Sequence, residues 1–408
     1  MLNIIKVLLK HADFRRLWVS SLLSETGSAF SLVALPLYVI HQSHSYMLAG
    51  ILTTVGFIGT VIMRIPGGFI GDRWPRRRVL MGGAAGGTMA MLAVVVAVAW
   101  HPVFQYWLIG VAWTLNGFIG SAAAVVQSSA VARTLSDADA QKGFAAWQAQ
   151  YAATTVIGPL LGGLAFTIAH TLPFAIDALS FLLELIVLSR IRQNLGEGQP
   201  IRASSKAVFR GVATVIHDRF LVVYAVTNGV LNVASQGMLY GMVFWMTRRG
   251  GIAVGASFVV LAVGSLVGTL IAPRLASRRY HLLLMTCVGA YALAGLCGYL
   301  ASTPWVAVVG LAAATLICQP PSVVLTSHIM TTVPDALRAR VQGALFLIGS
   351  ALYPFGAIIT GAIASSWSIN GAFAVWGLVC SLPLVASLVP AWQLPPEGSR
   401  ILAVTDWM

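Results

Sequence analysis

Charge is what this 408-residue chain has least of. Only 9% of its residues are charged and just 12 are acidic, against 58% hydrophobic residues and a mean hydropathy of +0.84. A water-facing surface cannot be built from so few charges, which excludes a soluble globular domain. Cysteine is also scarce: Cys287, Cys297, Cys318 and Cys380 lie inside hydrophobic runs without paired spacing, so neither a disulfide framework nor a zinc site is implied. The histidines show no ligand spacing, and His41, His44, His101 and His170 read as solvated loop residues. No phosphate-cradling loop is spelled anywhere, which argues against a built-in ATP motor. Met1 to Asp13 is a short basic stretch ahead of a run too long for a signal h-region, so no cleavable leader is expected. Neither a cofactor, a metal nor covalent chemistry is expected.

What the chain has is long apolar runs. A membrane-crossing helix needs roughly 20 such residues, and twelve candidates can be placed, at 16–41, 47–70, 79–100, 104–134, 140–168, 172–192, 219–247, 251–276, 281–300, 303–333, 337–366 and 369–390. The predicted class is therefore an all-α polytopic membrane protein. The net charge of +13 sorts by loop. Lys6, Lys10, Arg15, Arg16, the Arg73 to Arg78 cluster, Lys142, Arg190 to Arg219, Arg274 to Arg279, Arg338, Arg340 and Arg400 fall on one side, and Arg248 and Arg249 on the other. That asymmetry predicts cytoplasmic termini; a nucleic-acid surface, the competing reading, does not account for it.

The longest polar interval, 193–218, separates six spans from six, giving a first half at 1–192, a linker, a second half at 219–390 and a cytoplasmic tail at 391–408. Within the linker, 207–216 places basic and apolar residues at helical spacing, which suits either a helix on the inner membrane surface or a solvated connection. A short repeat supports the division. Thr134-Leu135-Ser136-Asp137-Ala138 and Thr332-Val333-Pro334-Asp335-Ala336 lie 198 residues apart, each with a base five residues after its Asp, Lys142 or Arg340, and each leads into a span carrying Pro with nearby Gly.

The most informative stretch is Gly68-Phe69-Ile70-Gly71-Asp72-Arg73-Trp74-Pro75-Arg76-Arg77-Arg78, a charged turn between two hydrophobic runs. It resembles the loop between helices 2 and 3 of the major facilitator superfamily. Gly68, Asp72, Arg73, Arg76, Arg77 and Leu80 fall on the family pattern, and Pro75 replaces its second Gly, as in many of its siderophore and macrolide exporters. The segment Gly158-Pro159-Leu160-Leu161-Gly162-Gly163 matches the core of the fifth-helix motif of the family's antiporters, with ordinary small-residue packing as its alternative reading. The resemblance covers nearly the whole chain. It implies twelve helices in two pseudo-symmetric six-helix halves, alternating access, and a monomer in a cell membrane, for a bacterium the inner one.

The resemblance also implies roles. Asp72 should approach the start of the eleventh span near Arg340, where helix-end amides favour a carboxylate, and Arg76 or Arg77 should pair with Asp137 or Asp139. The rival is a pure topology signal. Glu25, with Ser21, Ser24 and Ser28 at helical spacing, is the foremost candidate for proton coupling, because charges inside a bilayer are costly and functional by default. Glu184 is the next, whereas Asp177, following Pro173 near the start of span 6, reads as structural. Trp113 and Asn116 of span 4, Asn228, Asn232, Ser235 and Gln236 of span 7, and Gln319, Ser322 and Thr326 of span 10 suit a substrate cavity or interhelical hydrogen bonds. Span 4 has no Arg before Arg133, so a mechanism needing one deep in that helix does not carry over. The expected function is proton-coupled export of an amphipathic drug, antibiotic or siderophore-like molecule; the alternatives are nutrient or lipid import and a non-transporting receptor.

Overall fold

Inside a bilayer a backbone amide has no water to bond, so each apolar run satisfies its own N–H and C=O groups by coiling into a helix. The computed structural model describes residues 7–193, 195–196, 215–216, 219–275, 280–332 and 335–387, and every regular element among them is helical. In chain order these are α1 (Ala12–Ser43), α2 (Tyr46–Arg73), α3 (Arg76–Trp100), α4 (Gln105–Arg133), α5 (Asp137–Ile168), α6 (Leu172–Ser189), α7 (Arg219–Met246), α8 (Gly251–Leu275), α9 (Tyr280–Leu300), α10 (Pro304–Thr332), α11 (Asp335–Ser350), α12 (Phe355–Ser366) and α13 (Ile369–Ala386). Ten stretches among the described residues are long and apolar enough to cross a membrane. Of the remaining helices, α7 and α10 have the length, 28 and 29 residues, but α7 is diluted by Asn228, Asn232 and Gln236.

Local chemistry places the breaks. Ser45 caps α2 by accepting from the Leu48 amide at 3.1 Å, and Ser368 caps α13 by accepting from Gly371 at 2.9 Å. His44 and His101 close α1 and α3 in the left-handed conformation. The charged turn is shorter than its sequence suggests. Helix persists to Arg73 and resumes at Arg76, leaving only Trp74 and Pro75 between, because Pro75 forces Trp74 into an extended conformation (φ −113°, ψ 148°). The eleventh span divides in two: residues 351–354, ending in Pro354, form turns between α11 and α12. Pro159 does not break α5 in the same way. Both copies of the repeat open a helix, α5 at Asp137 and α11 at Asp335. The linker helix expected at 207–216 falls almost wholly outside the described residues.

Two compact units emerge, Met1–Arg202 with Met246–Val259, and Ala203–Trp245 with Val260–Met408. In the first, α1 packs on α5 and α6, α2 on α4, and α3 on α4 and α6. Leu17, Leu80, Ala84, Val126, Ala130, Leu188 and Ile191 form a buried cluster joining α1, α3, α4 and the end of α6. In the second, Leu221, Tyr224, Leu284, Ile329, Val341 and Leu345 join α7, α9, α10 and α11. Each unit uses glycine for close helix approach at corresponding places. A Cβ on Gly117 of α4 would lie 3.2 Å from the Thr60 amide nitrogen of α2, and one on Gly268 of α8 would lie 2.9 Å from the Leu316 backbone of α10.

Candidate functional site

The first unit holds an acidic seam where α1 meets α6. Gly27 brings the helices together: a Cβ there would lie 2.8 Å from Ser180 Cβ and 2.9 Å from Asp177 Cα. Asp177 is fully buried and Glu184 nearly so, at 0% and 8% exposure. The Ser28 hydroxyl donates to Asp177 Oδ1 at 3.4 Å, Ser31 and Ser180 flank the same carboxylate, and Ser24 lies beside Glu184. Asp177 Oδ2 is buried with no hydrogen-bond partner. Glu25 is exposed on the surface of this unit although protein surrounds much of its carboxylate, and it lies within electrostatic reach of Asp177 and Glu184. Among the described residues no basic side chain pairs with any of the three. Ionised carboxylates held this way are costly, which is the property that a proton-exchanging group needs.

Sequence reasoning put Ser21, Ser24 and Ser28 on Glu25's face. In the structure Ser21 and Ser24 are buried while Glu25 is exposed, so the serines serve the α6 acids more directly. Asp177, read from the sequence as structural, is the most deeply buried member of the group. The signal that links it to Glu184 is their seven-residue spacing on one helix; nothing in the sequence pairs α1 with α6.

In the same unit, the charged helix ends are tied to the end of α6 and the segment that follows it. Arg76 Nη1 donates to the Leu195 carbonyl at 2.9 Å, and Arg77 Nη2 to that of Ser189 at 2.6 Å. The Asp13 carboxylate accepts from the Gln193 amide at 2.9 Å and pairs with Arg16 at 2.5 Å. The partner expected for Arg76 or Arg77 is Asp137 or Asp139, and the side chain of Asp137 falls outside the described residues. Asp139 meets Lys10 at 2.6 Å and the His11 ring at 3.1 Å, because the start of the chain lies beside the first turn of α5, and Lys142 of α5 itself lies 3.6 Å away. The backbones of Gly68 and Asp72 lie in the last turns of α2, that of Asp137 opens α5, and that of Arg340 lies in α11; their side-chain surroundings fall outside the described residues, and Arg73 is exposed.

The fifth-helix motif makes close contacts along α5. A Cβ on Gly162 would lie 2.7 Å from Phe30 Cα of α1, and one on Gly163 would lie 2.8 Å from the Gly251 carbonyl carbon and closer still to its oxygen. Gly158 faces Ala29 of α1, and Gly255 of α8 meets the backbones of Pro159 and Leu160. The motif thus lets α5 approach α1 and the start of α8 at backbone distance.

The proposed cavity residues divide. Trp113 packs over Gly56, whereas Asn116 is half-buried with an unpartnered Oδ1. In the second unit Asn232 Nδ2 donates to the Gly349 carbonyl at 2.9 Å, Asn228 abuts Gly349, and Gln319 Nε2 donates to Ser265 Oγ at 2.9 Å. Gln236 is buried with Nε2 unpartnered. Asn232 and Gln319 therefore bind neighbouring helices, while Asn116 and Gln236 keep unused polar atoms. Cys287 of α9 and Cys318 of α10 are joined in a disulfide, which the sequence reading did not imply. Their separation of 31 residues carries no spacing signal, and only the packing of α9 on α10 brings them together. The histidines also converge: His41 and His170 lie 4.6 Å apart between ring centroids, and Tyr38 Oη bonds His101 Nδ1 at 3.1 Å. They do not form a metal-binding group among the described residues. His170, exposed in the turn before α6, is pushed below the usual imidazole range by partial desolvation, then by His41 and His101.

A helical membrane protein with two units, a charged α2–α3 junction and a glycine-proline α5 matches one sequence family over residues 17–352. The chain belongs to the Major Facilitator Superfamily. Its members carry solutes across membranes and are not enzymes. Over 97% of both chains it is 23% identical to the enterobactin exporter EntS of Shigella flexneri. It is 24% identical to the multidrug efflux pump Tap of Mycolicibacterium fortuitum, over 92% of this chain and 94% of that one. The solved nucleoside transporter NupG superposes with a TM-score of 0.74 at 15% identity, covering 94% of this chain and 100% of NupG. A bacterial homologue of the iron transporter ferroportin gives a TM-score of 0.70 at 15% identity, over 93% and 98%. These superfamily structures show the fold.

Proposed function

We propose that this superfamily member exports a small amphipathic molecule in exchange for protons, by alternating access of two six-helix halves, 1–192 and 219–390, with both termini in the cytoplasm. The observation that carries proton coupling is the seam of Glu25, Asp177 and Glu184 between α1 and α6, acids that lack a basic partner among the described residues. Glu25 exchanges the proton with water, and Glu184 and Asp177 receive it through the serine-lined interior. Export is supported by two relatives, an enterobactin exporter and a multidrug efflux pump, aligned over more than nine-tenths of the chain. Asn116 and Gln236, with unused buried polar atoms, contribute to substrate recognition. Gly68, Asp72, Arg73, Arg76, Arg77, Asp137 and Arg340 act on the conformational equilibrium rather than on substrate. Gly158, Pro159, Gly162 and Gly163 keep α5 close to its neighbours during the cycle.

The test uses inverted membrane vesicles from cells overproducing the chain, acidified inside by respiration. Addition of an exported lipophilic cation, with ethidium as the probe, is expected to discharge the pH gradient in proportion to uptake. Uptake that persists unchanged after a protonophore abolishes the gradient sinks the proton-exchange reading.

A further inference from the structure

We infer that the end of the first unit formed by α1, α3 and α6 binds the phosphodiester headgroup of an anionic phospholipid. A cavity of about 490 Å³ opens there, lined by Arg16, Arg77, Ser189, Arg190, Ile191 and Arg192. Four of these six residues are arginines and none is acidic. The Asp13 carboxylate beside it is occupied by Arg16 and by the Arg192 and Gln193 amides. Arg77 gives one N–H to the Ser189 carbonyl, which offsets the negative end of the α6 dipole and leaves its other donors for a ligand. Arg190 and Arg192 are exposed and pair with no carboxylate among the described residues. Guanidinium groups in this number, planar and forked, suit phosphate oxygens better than any other common anion at a membrane surface.

A lipid rather than a free anion is argued from α6. Leu179, Leu182, Leu183 and Ile186 are exposed at helical spacing on that helix, and Arg190 extends the same stripe by one turn. Acyl chains lying along this apolar stripe deliver a headgroup to the arginines above it, the arrangement by which basic pockets at helix ends hold anionic lipid.

The experiment measures lipids retained by the purified, delipidated full-length chain in native mass spectrometry, after adding phosphatidylglycerol, phosphatidylcholine, or glycerol phosphate. The expected result is a phosphatidylglycerol adduct at least tenfold more abundant than that of phosphatidylcholine at equal concentration, with no retained glycerol phosphate. Each neutralised arginine should weaken it roughly fivefold, so Arg190→Gln with Arg192→Gln weakens the adduct about 25-fold, whereas Arg190→Lys with Arg192→Lys keeps it. Helical circular dichroism and a monodisperse elution establish that each variant is folded. Equal retention of the two lipids, or an adduct undiminished in the glutamine pair, overturns the site. Glycerol phosphate binding as tightly as the lipid overturns the lipid assignment in favour of a free anion.

Discussion

Gly163→Ala is the sharpest structural test, because the backbone that it meets cannot move aside. The added Cβ would lie 2.8 Å from the Gly251 carbonyl carbon and 3.3 Å from the Gly255 nitrogen. Carbon atoms in contact prefer about 3.5 to 4 Å, so α5 and the start of α8 must separate by roughly 1 Å along a seam that also holds Gly255 over Leu160. Overpacking of this kind costs about 1 to 3 kcal/mol. Alanine's better helix propensity returns up to about 1 kcal/mol. Gly120→Ala supplies the control, since nothing lies within 4 Å of a Cβ at that exposed position of α4 and only the propensity gain remains. Thermal unfolding of both purified variants in one detergent should place Gly163→Ala below the parent and Gly120→Ala at or above it. Equal midpoints for the two variants would refute the reasoning that α5 and α8 touch backbone to backbone.

Thr360→Val removes a buried hydroxyl that donates to the Gly237 carbonyl at 2.9 Å and accepts from Trp376 Nε1 at 2.7 Å; a loss of about 1 to 3 kcal/mol is expected, read as a lowered unfolding midpoint, and an unchanged midpoint would count against the α7–α12–α13 junction. His170 binds its proton less readily folded than unfolded. Its stabilisation is therefore fully present above the unfolded imidazole range, near pH 6.5, and is lost as pH falls through the folded value. His170→Gln should flatten the decline in unfolding midpoint between about pH 7 and 5, and an identical decline in the variant would contradict the assignment. Asp72→Asn should impair transport more than equilibrium binding of the transported probe, and normal transport would remove the proposed gate role.

The apolar runs predicted nearly every helix to within a few residues, since in a bilayer run length and helix length answer to the same constraint. The two repeat copies, read as loops leading into spans, sit at matching places where Asp137 and Asp335 each open a helix. What escaped the sequence depended on partners brought from elsewhere in the chain. Arg76 and Arg77 bond backbone carbonyls at Leu195 and Ser189, and a carbonyl has no residue signature to search for. Asp139 met Lys10 and His11, about 130 positions away, because the start of the chain lies beside α5. Asp177 looked like an ordinary structural acid near a helix start until α1 placed Ser28 against it. Glu25 and Glu184 were legible for the opposite reason, since a carboxylate within an apolar run stands out in the sequence alone.

The most direct measurement of the central claim compares two activities of the same protein in proteoliposomes, with Glu25→Gln and Glu184→Gln beside the parent. One activity is exchange of ethidium down its own gradient; the other is its accumulation driven by an imposed pH difference. Glutamine imitates the protonated acid, so exchange should survive while accumulation falls at least tenfold in both variants, a loss of about 1.4 kcal/mol or more of coupling. Accumulation at the parent's rate in both would contradict proton coupling through the α1–α6 seam and leave these acids as structural groups.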